Sequence, residues 1–320
     1  MRLLITGGCG FIGSNFIRYI LKRYPNYKIV NLDKLTYAGN LDNLKDVKEN
    51  KNYKFIKGDI CNYKTVDSLV KGIEVIINFA AETHVDRSIV DASNFIKTNY
   101  NGTYILLEAA LKNKIKYFLQ ISTDEVYGSR VKGFFKESDT LNPSSPYSAS
   151  KAAADLLAVS YFKTYKLPVF IARSSNNFGP CQYPEKVIPL FITNILQNKK
   201  LPLYSRGENI RDWLFVLDNC LAIDLILHKG LPGEIYNISA GNYLKNSELT
   251  KIILKKMDKP WEFINFVKDR PGHDFRYAMD SLKIAKLGWK PRYKFLNALD
   301  LTINWYRENS LWWKKLKAKF

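Results

Sequence analysis

Acidic residues are scarce in this chain: 30 Asp and Glu stand against 49 Lys and Arg in 320 residues, for a net charge of +19. Cysteine and histidine are scarcer still, at four and three. Cys9, Cys61, Cys181 and Cys220 form no Cys-x-x-Cys pair, which argues against a disulfide framework and predicts reduced, mostly buried thiols. His84, His228 and His273 share no ligand spacing with cysteine or glutamate, so no metal is expected. No run approaches the roughly 18 apolar residues that a membrane span requires, and the apolar N-terminal stretch ends at Gly7, too short for a signal-peptide core. A soluble, unexported, cytoplasmic protein with no membrane partner is expected.

The positive charge invites a nucleic-acid reading. The lysines, however, are spread through the whole chain, and Lys outnumbers Arg 37 to 12, whereas directed phosphate or base readout favours Arg. A lysine-rich solvated surface that attracts anionic metabolites is expected, with no specific nucleic-acid partner. The tail from Trp312 to Lys317 reads as a helix end that packs its tryptophans on the body.

Short β-rich runs alternate with helical patterns through the first half. The runs are Leu3 to Thr6, Ile29 to Leu32, Tyr53 to Ile56, Val75 to Phe79, Tyr117 to Ile121 and Val169 to Ala172; the helical patterns are Ile12 to Arg23, Tyr63 to Lys71, Thr98 to Asn113 and Pro146 to Lys166. This alternation predicts an α/β fold, a doubly wound parallel sheet of Rossmann type. After about Arg173 prolines break the regularity, so a smaller C-terminal lobe is expected. The predicted division is 1–175 for the dinucleotide domain, rejoined by part of about 213–230, and 176–320 for the substrate lobe.

Gly8-Cys9-Gly10-Phe11-Ile12-Gly13 is a G-x-G-x-x-G between a strand and a helix, where backbone N–H groups can hold a pyrophosphate. Asp33 ends the second strand, 20 residues past Gly13. A carboxylate there accepts from an adenosine ribose and repels a 2′-phosphate, favouring NAD over NADP. Asp59 and the small Ala80 and Ala81 follow the third and fourth strands, at the edge where such sheets bind ligands. Tyr147 and Lys151 are four apart on one helix and share a face, where an ammonium and a positive nicotinamide would favour the tyrosine phenolate as base. Thr123 ends the fifth strand and could bond the same substrate hydroxyl. Asp124 and Glu125 come next, either a capping pair at a strand end or an acid and a base beside the redox set.

These segments resemble the extended short-chain dehydrogenase/reductases and, closely, the dTDP-glucose 4,6-dehydratase family. The resemblance runs through Thr6 to Gly13, Asp33 to Asn40, Ala80 to Ser88, Ser122 to Gly128, Asn176 to Pro189, Ile210 to Val216 and Asp269 to Tyr277. It implies a redox-neutral cycle: oxidation at C4 of the glucose ring with Tyr147 as base, Lys151 tuning it and Thr123 assisting; C5 proton removal by Glu125; protonation of the departing C6 hydroxyl by Asp124; and hydride return to C6. It implies that Gly7, Gly10, Phe11, Ile12, Gly13, Asp33, Lys34, Leu35, Thr36, Asp59, Ile60, Phe79, Ala80, Ala81, Thr83, Thr98, Tyr147, Lys151 and Asn177 bind NAD. Thr83, Thr123, Asn176, Lys186, Val187, Pro202, Leu203, Tyr204, Arg211, Asn246, Asp269, Arg270, Pro271, Gly272 and His273 would bind the sugar nucleotide. Arg211 and Arg270 suit a diphosphate; Pro202 and Tyr204 could equally be packing residues.

The family pattern also implies a homodimer through the helices near Thr98 to Asn113 and Pro146 to Lys166. Ser205-Arg206-Gly207, Ser239-Ala240, Asn219 and Thr83 depart from it and leave thymine or uracil open. A 4-epimerase or a UDP-glucuronate decarboxylase needs the redox pair but not both carboxylates, so Asp124 favours elimination. A non-catalytic dinucleotide sensor could dispense with Tyr147 or Lys151, and both are present.

Overall fold

The computed structural model describes residues 1–318. Twelve strands run β1 (Arg2–Thr6), β2 (Lys28–Asp33), β3 (Tyr53–Lys57), β4 (Val75–Asn78), β5 (Tyr117–Thr123), β6 (Val169–Ser174), β7 (Asn176–Phe178), β8 (Leu201–Tyr204), β9 (Ile210–Phe215), β10 (Ile235–Ile238), β11 (Tyr243–Lys245) and β12 (Ile264–Val267). The α-helices are α1 (Phe11–Arg23), α2 (Tyr63–Leu69), α3 (Val85–Val90), α4 (Ser93–Phe95), α5 (Thr103–Lys112), α6 (Pro146–Tyr165), α7 (Val187–Leu196), α8 (Val216–Lys229), α9 (Asn246–Lys256), α10 (Leu282–Lys286), α11 (Phe295–Glu308) and α12 (Ser310–Lys317). Among the described residues no helix is long and apolar enough to cross a membrane.

Seven parallel strands form the main sheet in the order β10-β6-β5-β4-β1-β2-β3. Both faces are covered, so central strands such as β4 are buried at every position and read as continuous apolar runs rather than alternating ones. One core packs α1 and α8 on one face through Phe16, Ile20, Ile223 and Ile226; a second packs α2, α5 and α6 on the other through Val66, Leu106, Ala158 and Tyr161. Strand order reverses between β1 and β4, which opens a crevice at their C-terminal ends. Thr6 Oγ1 donates to Asn78 Oδ1 (2.6 Å) and Asn78 Nδ2 to Gln120 Oε1 (2.9 Å), tying three strands together beneath that crevice.

Beyond β6 the chain builds two small sheets, β11-β9-β7 and β12-β8. Of the segment 213–230, α8 lies against α1 and the main sheet, whereas Trp213 to Phe215 belong to the three-stranded sheet; the strand that completes the main sheet is β10, just after it. One hydrophobic cluster runs from Leu3 through Phe191 and Trp213 to Trp313, so residues on both sides of position 175 share a core.

Two helices bear on the site. Ser145 caps α6 in a capping box with Ser148, and Pro146 occupies its first turn, where a missing N–H costs nothing. The helix expected from Thr98 begins earlier, at α4, and winds as a π-helix over Ile96–Gly102 before α5. Such wide turns cluster at functional sites because they re-aim side chains. Here Thr98 faces the crevice, while Asn99 grips the backbone of Glu82 from both sides (2.9 and 3.0 Å) and donates to Ser150 (2.9 Å).

Candidate active site

A cleft opens at the switch point, with about 1600 Å³ of space when its open mouth is counted. At its floor the β1–α1 turn differs from the expected Gly8 to Gly13 spacing. Gly7, Gly10 and Gly13 line the cleft. Gly8 does not: its N–H is bonded to Asn31 Oδ1 (3.1 Å), and a Cβ on it would lie 2.3 Å from that oxygen. The working motif is therefore Gly7-x-x-Gly10-x-x-Gly13, and Gly8 serves packing. Gly7 has φ +67°, and a Cβ there would stand 2.6 Å from Ala80 backbone, so strand ends β1 and β4 approach through it.

Asp33 is buried, with Oδ1 accepting from Leu35 N–H (2.7 Å) and Oδ2 from Cys9 N–H (2.8 Å). Burial raises its pKa and the two N–H bonds pull it back. A fixed acceptor results, opposite Lys34 and Asp59, which pair at 2.8 Å. Thr36, Ile60, Phe79, Ala80, Ala81, Thr83, Thr98 and Asn177 also line the cleft, with Phe11 and Ile12 at the helix start. Leu35 does not; with φ +57° it packs its side chain on the core, and only its N–H reaches the site, through Asp33.

The structure brings Thr123, Asp124, Glu125, Tyr147 and Lys151 to one wall of this cleft. Thr123 caps the 3₁₀ turn Asp124–Tyr127, accepting from Glu125 N–H (3.3 Å), and its hydroxyl donates to Asp124 Oδ1 (3.1 Å). The capping role thus falls to Thr123, which removes the solvated-cap reading of the pair: Asp124 is 3% exposed and its Oδ2 has no hydrogen-bond partner. Burial, then the neighbouring Glu125 charge, hold Asp124 well above the usual carboxylate range. Burial raises Glu125 as well, but Lys186, Arg270 and Arg211 oppose it.

Tyr147 departs from expectation. Its phenol is held well above its ordinary value of 10.0, first by burial and then by Glu125, with a Thr123 hydrogen bond as the opposing influence. The Lys151 ammonium, expected to lower it, donates instead to Ile121 O (2.5 Å). Burial takes Lys151 itself down to about 8.

The substrate-lobe residues divide. Asn176 and Lys186 line the cleft, the latter donating to Thr83 O (3.0 Å). Val187 opens α7, and Leu203 is core at 2% exposure. Pro202 and Tyr204 sit on β8 beside β12; Tyr204 OH donates to Asp86 (3.3 Å) and its ring meets His273 edge-on. Arg270 pairs with Asp86 (3.2 Å), and Asp269 accepts from His273 (2.6 Å). Arg211 is buried, spends its donors on the carbonyls of Ile210, Asp274 and Phe275, and lies 4.1 Å over the Tyr277 ring. Pro271 and Gly272 form the turn between Arg270 and His273. Asn176 Oδ1, Asn177 Oδ1, Asn246 Oδ1 and Arg270 Nε are buried without partners, which suits groups waiting for a polar ligand.

Sequence reasoning missed Tyr37, Gln182, Tyr183 and Glu185, all on the cleft wall. Glu185 accepts from Tyr37 OH (2.9 Å) and pairs with Arg87 (3.1 Å). Its place before Lys186 was the available signal; Gln182 and Tyr183 offered none, because only the fold turns them inward.

A glycine turn at the switch point, an acid ending β2 and a Thr-Tyr-Lys set beside it define an extended short-chain dehydrogenase/reductase architecture. Within it the chain belongs to the GDP-mannose 4,6-dehydratase family, whose profile matches residues 4–302. A dTDP-glucose 4,6-dehydratase of Streptomyces niveus is 48% identical over 99% of this chain and 96% of its own length. Among solved structures, DesIV, a dTDP-glucose 4,6-dehydratase from Streptomyces venezuelae with NAD bound, superposes with a TM-score of 0.97 at 47% identity over 99% of this chain and 100% of that one. A dTDP-glucose 4,6-dehydratase from Bacillus anthracis in complex with NAD gives 0.93 at 49% identity over 99% of each.

Proposed function

We propose that this protein is an NAD-dependent dTDP-glucose 4,6-dehydratase, forming dTDP-4-keto-6-deoxyglucose and water. The Gly7-Gly10-Gly13 turn, the doubly anchored Asp33 and the partnerless Asn177 Oδ1 are a donor and acceptor set that fits NAD. When bound, NAD supplies the chemistry of accepting a hydride from C4 and returning it to C6. Tyr147 takes the C4 hydroxyl proton while Thr123 orients that hydroxyl. The C4 carbonyl acidifies the C5 proton, which Glu125 removes. Asp124 protonates the C6 hydroxyl as it leaves as water, and Glu125 returns its proton to C5 when C6 is reduced.

The observation that carries this reading is the unequal surroundings of the adjacent carboxylates. Burial and the Glu125 charge hold Asp124 well above the usual carboxylate range; burial also raises Glu125, but Lys186, Arg270 and Arg211 oppose that rise. Two groups poised apart in this way can act as acid and base in one step. An epimerase has no use for a second acid here. Lys186, Arg211, Arg270 and Asn246 would hold the diphosphate and base. The test is incubation with dTDP-glucose and, separately, UDP-glucose, with mass spectrometry for loss of one water and no added oxidant. Dehydration of the dTDP sugar is expected; unchanged mass with a C4-epimeric product would sink the reading.

We further infer a homodimer across the π-helix, α5 and α6. Ile96, Tyr100, Tyr104, Leu156 and Tyr165 are exposed on these segments, an apolar surface that a second copy would cover. Sedimentation should give a dimer, with Leu156→Lys monomeric; a monomeric parent protein would overturn the inference.

A further inference from the structure

The loop after β2, the helix α3 and the segment leading into α7 are tied together through one carboxylate. Glu185 Oε1 accepts from Tyr37 OH (2.9 Å) and Oε2 from Arg87 Nη2 (3.1 Å), so each oxygen holds a different piece of chain. The Arg87 guanidinium also lies over the Tyr37 ring, 3.9 Å from its centre, a cation–π contact that closes the triangle. The Tyr37 ring meets Tyr183 edge-on (5.3 Å). The same two later segments meet again where Lys186 Nζ donates to Thr83 O (3.0 Å).

These three side chains stand between the cleft and the outside. Tyr37 and Glu185 line the cleft, whereas Tyr37 and Arg87 line a more open groove next to it. Arg87 is 44% exposed and Glu185 only 9%. Ion pairs between two exposed side chains hold little; here the carboxylate is shielded and both of its oxygens take bonds that its charge strengthens. Tyr37 lies four residues past Asp33, the acceptor assigned to the cofactor ribose, and Glu185 directly precedes Lys186. The chemistry proposed above uses none of the three. It does require that the cofactor reduced in the first step still be present in the last, because loss between the two would strand an oxidised sugar.

We propose that Tyr37, Glu185 and Arg87 form a clasp across the cleft wall, which holds the dinucleotide in place through the cycle while the sugar nucleotide exchanges. The proposal rests on the reading of this cleft as an NAD site.

The test uses Tyr37→Phe, which removes the hydroxyl and keeps the ring, and Arg87→Met, which removes the guanidinium and keeps the stem. Each protein is loaded with radiolabelled NAD and chased with excess unlabelled NAD. Release should be about tenfold faster in each variant, as expected for the loss of one hydrogen bond to a charged group. A clasp bars entry as well as exit, so association should quicken too and Kd should move less than the release rate. Binding of dTDP, followed by calorimetry, should stay at the parent value, which also shows that the variant is folded; Tyr37→Phe decides alone if Arg87→Met does not fold. Release at the parent rate would reduce the cluster to a packing contact and overturn the proposal. Faster release with unchanged association would make Tyr37 a direct cofactor contact, and weakened dTDP binding with parent NAD rates would assign the cluster to the substrate; either overturns it as well. Failure of the functional reading looks different: the parent protein itself would bind no NAD, and the clasp would fall with that reading.

Discussion

Replacing Asp124 by asparagine separates the first half of the proposed cycle from the second. Asparagine keeps the shape of the side chain, and its carbonyl can still accept the Thr123 hydroxyl now bonded to Oδ1 at 3.1 Å. The other carboxylate oxygen has no partner to lose, so the fold should suffer at most the roughly 1–3 kcal/mol of a buried amide N–H₂ left unpaired. What disappears is the proton. Burial and the neighbouring Glu125 charge hold Asp124 well above the usual carboxylate range, which suits it to give a proton to a leaving hydroxyl. General acid catalysis of this kind contributes about 10²–10⁴ in rate, which is roughly 3–5 kcal/mol. In a rapid-mixing experiment with dTDP-glucose, Asp124→Asn should show reduced-nicotinamide absorbance that rises at the parent rate and then persists, while dehydrated product forms about 10²–10⁴ times more slowly. Glu125→Gln should stall at the same stage, because C5 keeps its proton. Loss of the absorbance rise itself in Asp124→Asn would refute the division of roles, since it would place Asp124 in C4 oxidation.

Three further outcomes follow from the geometry. Gly7→Ala should both destabilise the fold and lose bound NAD, because φ is +67° and the added Cβ would stand 2.6 Å from Ala80 backbone; normal melting with normal NAD retention would contradict the close approach. Trp313→Ala should cost about 3–5 kcal/mol in urea unfolding, since the ring is 1% exposed and its Nε1 donates to Tyr306 O at 2.7 Å. His228 bonds Asp224 (2.8 Å), which raises the histidine pKa; Asp224 is raised by burial but brought below its ordinary value by His228 and Tyr19. The histidine contribution is then complete below its unfolded value of about 6.5 and is lost as pH rises through the folded one, while the Asp224 contribution is lost in acid. His228→Asn should therefore lower Tm more near pH 6 than near pH 9, and equal losses at both would remove the ion-pair account.

The sequence alone determined the sheet's parallel character and pointed to the set Thr123, Asp124, Glu125, Tyr147 and Lys151 that lines the cleft. Short apolar runs such as Val75 to Ile77, alternating with helical patterns, read as parallel strands buried on both faces. Tyr147 and Lys151 share a face because four residues make one helical turn. Asp124 and Glu125 follow directly on β5, so placing the strand placed them. The tertiary structure decided what each group does. Gly8, inside the fingerprint, packs against Asn31 because the turn geometry points it away from the cleft. Lys151 donates to the Ile121 carbonyl, and burial, which no spacing reveals, raises the Tyr147 pKa and lowers that of Lys151. β10 returns to the main sheet because long-range pairing with β6 rewards a return that local pattern does not encode. Glu185 and Tyr37 reach the same wall from positions 148 residues apart, a meeting only the closed fold can arrange. The acid and the base likewise differ in what surrounds them: Lys186, Arg270 and Arg211 oppose the effect of burial on Glu125, whereas the Glu125 charge adds to it on Asp124.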